Sequence, residues 1–393
     1  MNIALFPSAF HPSLGGVEEL SRQLALELQR LGHSVIVITN RWPRDLPEFE
    51  TFQGLPLYRL AMRVPDGSSR AKLNYHLTHR AIRRNLYRTL RKHQIDILHV
   101  QCVSANAHYA VDAANRLGLP LVVTLQGELT MDAGQIFQHS AFAKGMLRSA
   151  LKHATAISGC SRKTLEDGEA FYGTPFGPRG HVIFNAARIH DFNSATPYQH
   201  PRPYLFALGR MVPQKGFDTL LHAFSLFLKQ TGSPHDLIIA GDGPHLEEYK
   251  ALARELSLDQ RVHFPGKADR AQTAAYFAGC ELFVLPSRAD EGLPVVCAEA
   301  LAAAKAVVAT RSGGAPEVIL HNQNGLIVEK GDPEGLAAAI TKLITNPALR
   351  QSFEKNNRAR AELFDWTTIT QQYESLYASL LAASPQSKIP VPS

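Results

Sequence analysis

Two glutamates, Glu291 and Glu299, frame the stretch EGLPVVCAE with seven residues between them. The run they enclose is a glycine, a proline and small apolar residues, not a solvated charged surface. Arg210 and Lys215 flank a proline in GRMVPQKG, and Gly15 and Gly16 stand just before a helical pattern near the chain start. Carboxylates accept hydrogen bonds from sugar hydroxyls. Arginine offers a fork and lysine a point charge to a phosphate. Glycines ahead of a helix let a phosphate reach free backbone N–H groups. Paired acids also serve glycoside hydrolases, one as acid and one as base or nucleophile. A hydrolase of neutral sugars, however, has no need of the cations or the glycine loop. A nucleotide sugar uses all of them, with sugar and ribose for the two acids and diphosphate for the cations. Taken singly, each feature also has a plain reading: a flexible turn at Gly15–Gly16, a solvated pair at Arg210 and Lys215, a helix cap at Asp290 and Glu291.

Short apolar runs alternate with helical patterns along the chain and must position these groups. NIALFP is followed by VEELSRQLALELQRLG, whose Val17, Leu20, Leu24, Leu28 and Leu31 recur at helical spacing, with Gly32 as the stop. Strands are expected at SVIVIT, DILHV, PLVVTLQ, TAIS and HVIFN. From 191 to 203 the text DFNSATPYQHPRP reads as a linker. The alternation then restarts with YLFALGR, DLIIAGDG, RVHFPG, LFVLPS, AVVAT and GLIVE. The expected fold class is α/β, two doubly wound parallel-sheet domains in series. The first spans 1–190, the second 203–365, and 385–393 is read as a disordered tail. In such sheets ligands bind beyond the carboxyl ends of the strands, where these loops lie. Pro294 suits the first position of a helix. Glu291 then sits in the loop before it, and Glu299 about one and a half turns inside, roughly 8 Å further along. No G-x-G-x-x-G follows a strand: GDGP has Leu246 in the third glycine's place. That argues against a nicotinamide oxidoreductase.

At 393 residues, with 45% hydrophobic and 19% charged, the chain suits two globular domains. Its four cysteines are scattered without a C-x-x-C pair and read as reduced thiols of a cytosolic protein. The start is too short and uncharged for a signal peptide, and no apolar run nears the ~20 residues of a spanning helix. A soluble cytoplasmic location is therefore expected. The formal charge of +6 is uneven: residues 70–92 hold eight Lys or Arg and no acid. Leu73, Leu77, Leu86 and Leu90 give that segment an apolar stripe. It reads either as a surface helix with a basic outer face or as an element drawn to an anionic acceptor or to lipid headgroups. In the latter case the protein would sit peripherally on the inner face of the cell membrane. No recognition motif accompanies the patch, so nucleic acid is not an expected partner.

In the order and spacing of its motifs the chain resembles the family 4 retaining glycosyltransferases. The matching stretches are HPSLGGVEELSRQLALELQRLGHSVIVIT, LGRMVPQKGFDTLL, LIIAGDGP, FVLPSRADEGLPVVCAEALAAAKAVVATRSGGAPEVI and NGLIVEKGDPEGLAAAI, and the likeness runs from residue 1 to about 375. It implies the GT-B fold, two Rossmann-like domains facing each other across a cleft that closes over the donor. It implies that Glu291 contacts the donor sugar, Glu299 the ribose, and Arg210 and Lys215 the diphosphate. Gly15 and Gly16 would close over the phosphates, and the backbone amides of Gly292, Leu293 and Pro294 would lie near sugar and diphosphate. The loop around Gly266 resembles the wall beside the base. FDWTTITQQYESLY resembles a terminal helix, about 366–384, that returns to the first domain.

Two departures stand out. Gln126 occupies the place where many relatives carry a histidine close to the reacting sugar, with Glu128 nearby, either compensating on the acceptor side or as a plain surface acid. Glutamine cannot act as a general base. VIFNAARIHDF replaces the PNGVD of relatives, keeping Asn185 but losing the glycine. The expected reaction is transfer of a sugar, with retained configuration, from a nucleoside-diphosphate sugar to a lipid-linked or surface-polysaccharide glycan. Glu291, Arg210 and Lys215 are its expected catalytic groups, and electrostatic stabilisation of the leaving diphosphate its main source of rate. No Asp-x-Asp occurs, so no metal and no cofactor are expected. An epimerase or sugar-phosphate synthase of the same architecture, and an inactive nucleotide-binding protein, are the alternatives.

Overall fold

The apolar runs assemble into two separate sheets. A computed structural model describes residues 1–13, 15–65, 69–131 and 136–383. The tail expected at 385–393 lies outside the described residues. The chain divides into two units: unit 1 holds Met1–Phe184 and the chain from Trp366 onward, and unit 2 holds Asn185–Asp365.

Unit 1 contains β1 (Asn2–Pro7), β2 (Ser34–Asn40), β3 (Phe49–Phe52), β4 (Leu55–Leu60), β5 (Ile97–Gln101), β6 (Leu121–Leu125), β7 (Ala156–Gly159) and β8 (Gly180–Val182). Their order is β3-β4-β2-β1-β5-β6-β7-β8. Every neighbouring pair is parallel except β3 and β4. That edge hairpin is absent from the sequence reading, although its signal is present. FETF and LPLYRL are joined by Gln53 and Gly54, both at positive φ, 51° and 83°, the backbone of a two-residue hairpin turn.

Unit 2 contains β9 (Tyr204–Leu208), β10 (Asp236–Ala240), β11 (Val262–His263), β12 (Leu282–Leu285), β13 (Val307–Thr310) and β14 (Gly325–Val328). All neighbours are parallel, in the order β11-β10-β9-β12-β13-β14. The first three strands run outward one way and the next three the other, so the order reverses between β9 and β12. Helix Phe217–Thr231 buries Leu220, Leu221, Phe224 and Phe227 on this sheet. Each such side chain contributes about 1.5–3 kcal/mol of apolar burial.

Two sequence expectations change. The stretch 191–203 is not a free linker: Ile189–Asn193 is a short helix, and Tyr198 N–H donates to Ala275 O at 2.9 Å while its ring packs on Tyr276. Its apolar side chains, not its prolines, decide that it packs on unit 2. In helix Ser69–Lys92 the four leucines do not form one stripe. Leu86 and Leu90 are buried, whereas Leu73 and Leu77 are 59% and 70% exposed. At 100° per residue they share the outward face with Arg80, Arg84, Arg88 and Arg91. Helix Trp366–Ala383 packs within unit 1, where Tyr377 Oη meets His99 Nδ1 at 2.5 Å and His99 Nε2 meets Thr124 at 2.7 Å.

Candidate active site in unit 2

Brought together at the carboxyl ends of β9 and β12, where the strand order reverses, are Arg210, Lys215 and Glu291. Loops that diverge at such a reversal leave a crevice for a ligand. The loop after β9 turns through Pro213–Lys215, and Gly216 at φ 68° starts helix Phe217–Thr231. A Cβ on Gly216 would stand 2.1 Å from Pro286 O, so only glycine permits this approach to the loop after β12. Gln214 O accepts from the N–H groups of Arg288 and Ala289, at 2.8 and 3.2 Å. The two loops are thus zipped along their backbones.

That zipper sets Lys215 Nζ 2.7 Å from Glu291 Oε2. Glu291 is buried, and its other oxygen accepts from the buried hydroxyl of Ser287. A third loop, after β13, holds its backbone: Gly314 N–H donates to Glu291 O at 3.0 Å, and Gly313, at φ 49°, would place a Cβ 1.8 Å from the same oxygen. Asp290 accepts from Gly313 N–H at 2.8 Å and pairs with Lys330. Asp290 and Glu291 therefore do not cap the following helix. Ser287 and Gly313 escaped the sequence reading, which took Asp290 only as a cap; the SGG after AVVAT was the available signal, a glycine-rich loop at a strand's carboxyl end.

Arg210 is exposed and forms no ion pair or side-chain hydrogen bond with a described residue. The cationic end of the site is thus one arginine open to solvent and one lysine already held by Glu291. The following helix runs Val295–Ala302 with Pro294 as its cap, one residue later than expected. Proline has no N–H, so of the three backbone groups expected to face the donor only Gly292 and Leu293 can donate. The later start sets Glu299 one turn inside the helix. Its carboxylate accepts no hydrogen bond from a described residue. Loss of water around it pushes its pKa up to about 7, against the pull of the nearby Arg270 guanidinium. Gly266, in the loop after β11, joins the same sheet edge by accepting from Gly241 N–H at 2.8 Å.

The other expected site residues belong to unit 1. Gly15 caps helix Gly16–Arg30 without a side-chain bond, and Glu18 folds back over it, with an oxygen 2.3 Å from where a Cβ on Gly15 would stand. Gln126 and Glu128 follow β6, but both are buried. Gln126 Nε2 donates to Gln101 Oε1 at 3.2 Å. Glu128 is not a surface acid. It accepts from the N–H groups of Val103, at 2.7 Å, and Gln126, at 2.8 Å, and so ties the loops after β5 and β6 together. Burial holds its pKa above the usual carboxylate range.

Among the described residues one trio, His200, Asp236 and His263, has metal-ligand chemistry within a single grasp. Asp236 opens β10, at the amino edge of the sheet, opposite Glu291. Its carboxylate also bonds Arg202 and Arg261 at 3.3 and 2.9 Å. Two guanidiniums on the one carboxylate oppose a cation there.

Two family models together span most of the chain: Glycosyltransferase Family 4 matches residues 14–191, and Glycosyl transferases group 1 matches 191–360. An uncharacterized glycosyltransferase of Methanocaldococcus jannaschii is 24% identical over 96% of this chain and 98% of its own length. A GDP-mannose-dependent alpha-(1-6)-phosphatidylinositol monomannoside mannosyltransferase of Mycobacterium tuberculosis is 32% identical over 46% of each chain. Among solved structures, a sucrose-phosphate synthase from Thermosynechococcus elongatus aligns with a TM-score of 0.77 at 22% identity, covering 98% of this chain and all of the other.

Proposed function

The chain belongs to glycosyltransferase family 4 and has the GT-B fold, and we propose that the carboxyl edge of its unit 2 sheet binds a nucleoside-diphosphate sugar whose glycosyl group is transferred with retention to a lipid-borne or glycan acceptor. The observation that carries this reading is the convergence of Arg210, Lys215 and Glu291 at the strand reversal, with Lys215 and Glu291 already 2.7 Å apart. Arg210 and Lys215 meet the diphosphate. The negative charge that develops there as the glycosidic bond breaks is greater than in the ground state, so these cations stabilise the transition state more than the substrate. The amino end of the 15-residue helix Phe217–Thr231 adds its dipole to the same loop. Glu291, fixed by Ser287 and Gly314, accepts from a sugar hydroxyl, and Glu299 accepts from the ribose diol.

Two positive side chains in the diphosphate subsite favour a reaction that needs no divalent metal. Full activity in EDTA is the expected result; loss restored by Mg2+ would overturn it. The mannosyltransferase relative is named for a lipid acceptor, and the outward face of helix Ser69–Lys92 carries cations beside Leu73 and Leu77. Both support peripheral contact with an anionic bilayer. Among the described residues no helix is long and apolar enough to cross a membrane.

The decisive experiment is a thermal-shift screen against UDP, GDP, ADP, CMP and their sugar conjugates. Ligands that bind the folded state raise its melting temperature by mass action. A rise selective for one nucleoside diphosphate, lost in Glu299→Ala, is expected. No rise with any nucleotide would sink the donor-site assignment. Isomerisation of the sugar nucleotide without an acceptor, with no release of nucleoside diphosphate, would make the enzyme an epimerase.

A further inference from the structure

A cavity of about 690 Å3 opens in unit 1 and is lined by Asn40, Arg44, Met62, Arg63, Arg70 and Asn74. Its walls follow three strands at their carboxyl ends: Asn40 closes β2, Met62 and Arg63 follow β4, and Ala105, also on the wall, begins the helix Ala105–Leu117 after β5. This is the ligand-binding edge of a parallel sheet. Its volume suits a small molecule.

The charge in this cavity is one-sided. Arg44, Arg63 and Arg70 all line it, and none forms an ion pair or a side-chain hydrogen bond with a described residue. No acidic residue is among the described residues of the wall. Like charges gathered in a concavity repel one another unless an anion joins them, and a low-dielectric wall focuses their field on that anion. One guanidinium fork satisfies one carboxylate; three forks suit a dianion with several acceptor oxygens, which a phosphate is. Met62 and Val64 leave part of the wall apolar, fitting the carbon body of such a ligand.

The donor's own diphosphate has its cations in unit 2. Resting on the transferase reading above, we infer that the acceptor carries a phosphate and that Arg44, Arg63 and Arg70 hold it in this cavity, selecting phosphate-bearing acceptors over neutral ones. The phosphate belongs either to a soluble sugar phosphate or to a lipid headgroup, and the two are separable.

The test uses the full chain, saturated with whichever nucleoside diphosphate stabilises it. Binding is titrated for glucose 6-phosphate against glucose, and for phosphatidic acid, a phosphate monoester, against diacylglycerol, each lipid in phosphatidylcholine vesicles. The inference expects at least one phosphate-bearing probe to bind tenfold or more tightly than its neutral counterpart. Arg63→Ala should abolish that preference, Arg63→Lys keep part of it, and Arg88→Ala, which removes a charge outside the cavity, leave the soluble preference unchanged. Preference in the soluble arm marks a sugar phosphate, and preference in the vesicle arm alone marks a lipid. The inference is overturned if neither phosphate-bearing probe outbinds its counterpart, or if Arg63→Ala leaves the preference intact. The nucleotide-induced rise in melting temperature should survive Arg63→Ala. If nucleotides give no rise in any variant, the donor assignment fails, and the same titrations without nucleotide still decide the cavity.

Discussion

Lys215 and Glu291 stand 76 positions apart in the chain, yet Lys215 Nζ donates to Glu291 Oε2 over 2.7 Å. The pair spans the strand reversal of unit 2 and is half-closed to solvent, with side-chain exposures of 22% and 9%. It keeps the ammonium aimed before any ligand arrives. On the proposed donor assignment, a diphosphate would give Lys215 a second anion with little reorganisation, the condition under which electrostatic stabilisation is most effective.

Removing the two members should therefore have opposite effects on the nucleotide. Lys215→Ala is expected to cost roughly 10- to 100-fold in nucleoside diphosphate affinity, the worth of a charge-assisted hydrogen bond. Glu291→Gln releases the ammonium, so affinity should hold within about threefold or tighten, while turnover falls by about 100-fold or more. Calorimetric titration and initial rates read the two effects. Equal losses of nucleotide affinity would contradict these roles.

Glu299 should make nucleotide binding depend on pH near neutrality. Its folded pKa of about 7 lies above the ordinary value of about 4.3 for glutamate. The stability it contributes is fully present below the unfolded pKa and is lost as pH rises through 7. The melting-temperature advantage of Glu299→Gln over the parent should therefore grow from pH 5 to pH 8. The ionised carboxylate is also the stronger acceptor for ribose hydroxyls, so nucleotide affinity should rise over pH 6–8, by at most about tenfold per unit. Since the nucleotide's own phosphate titrates too, the difference between parent and Glu299→Gln is the readout. A constant difference would reject the assignment.

His99 sets an acid limit on unit 1. It is buried between Thr124 and Tyr377, and burial holds its pKa down to about 3. Unfolding frees it to protonate near 6.5, so stability present at neutral pH is lost as pH falls below that value. By pH 5 the loss amounts to about 2 kcal/mol. Denaturant melts of His99→Gln should show a shallower decline between pH 7 and pH 5 than the parent; parallel declines would remove His99 from the account.

The outward face of helix Ser69–Lys92 should bind anionic bilayers. Sedimentation with phosphatidylglycerol vesicles is expected to exceed that with phosphatidylcholine and to fall with salt, because exposed charges are screened. Leu73→Ser with Leu77→Ser should weaken it severalfold without lowering the melting temperature, since both side chains are exposed. Undiminished binding would leave the leucines with no lipid role.

Much of this protein was readable from local text. Fifteen residues from Leu208 to His222 announce a strand end, two cations and a helix start. The E-x7-E spacing needs nothing beyond itself. Parallel strands buried on both faces leave continuous apolar runs, which is why twelve of the fourteen strands among the described residues were found, while the β3–β4 hairpin, whose apolar residues are interrupted by polar ones and by Pro56, was passed over.

What the sequence could not supply was everything that depends on which strands are neighbours. That β9 lies beside β12, bringing Lys215 onto Glu291, follows from strand order, and strand order is decided by packing helices on both faces of the sheet. The same holds for Glu128, which reads as a surface acid until the loops after β5 and β6 close over it and burial replaces its water with two backbone N–H groups. Leu73 and Leu86 are identical as letters; only the docking of their helix decided that one is buried and the other faces outward among arginines. The sequence alone determined the types of group and their spacing along the chain, because these are covalent facts. The tertiary structure decided their partners, because a partner is a matter of distance in space and of how much water remains around it.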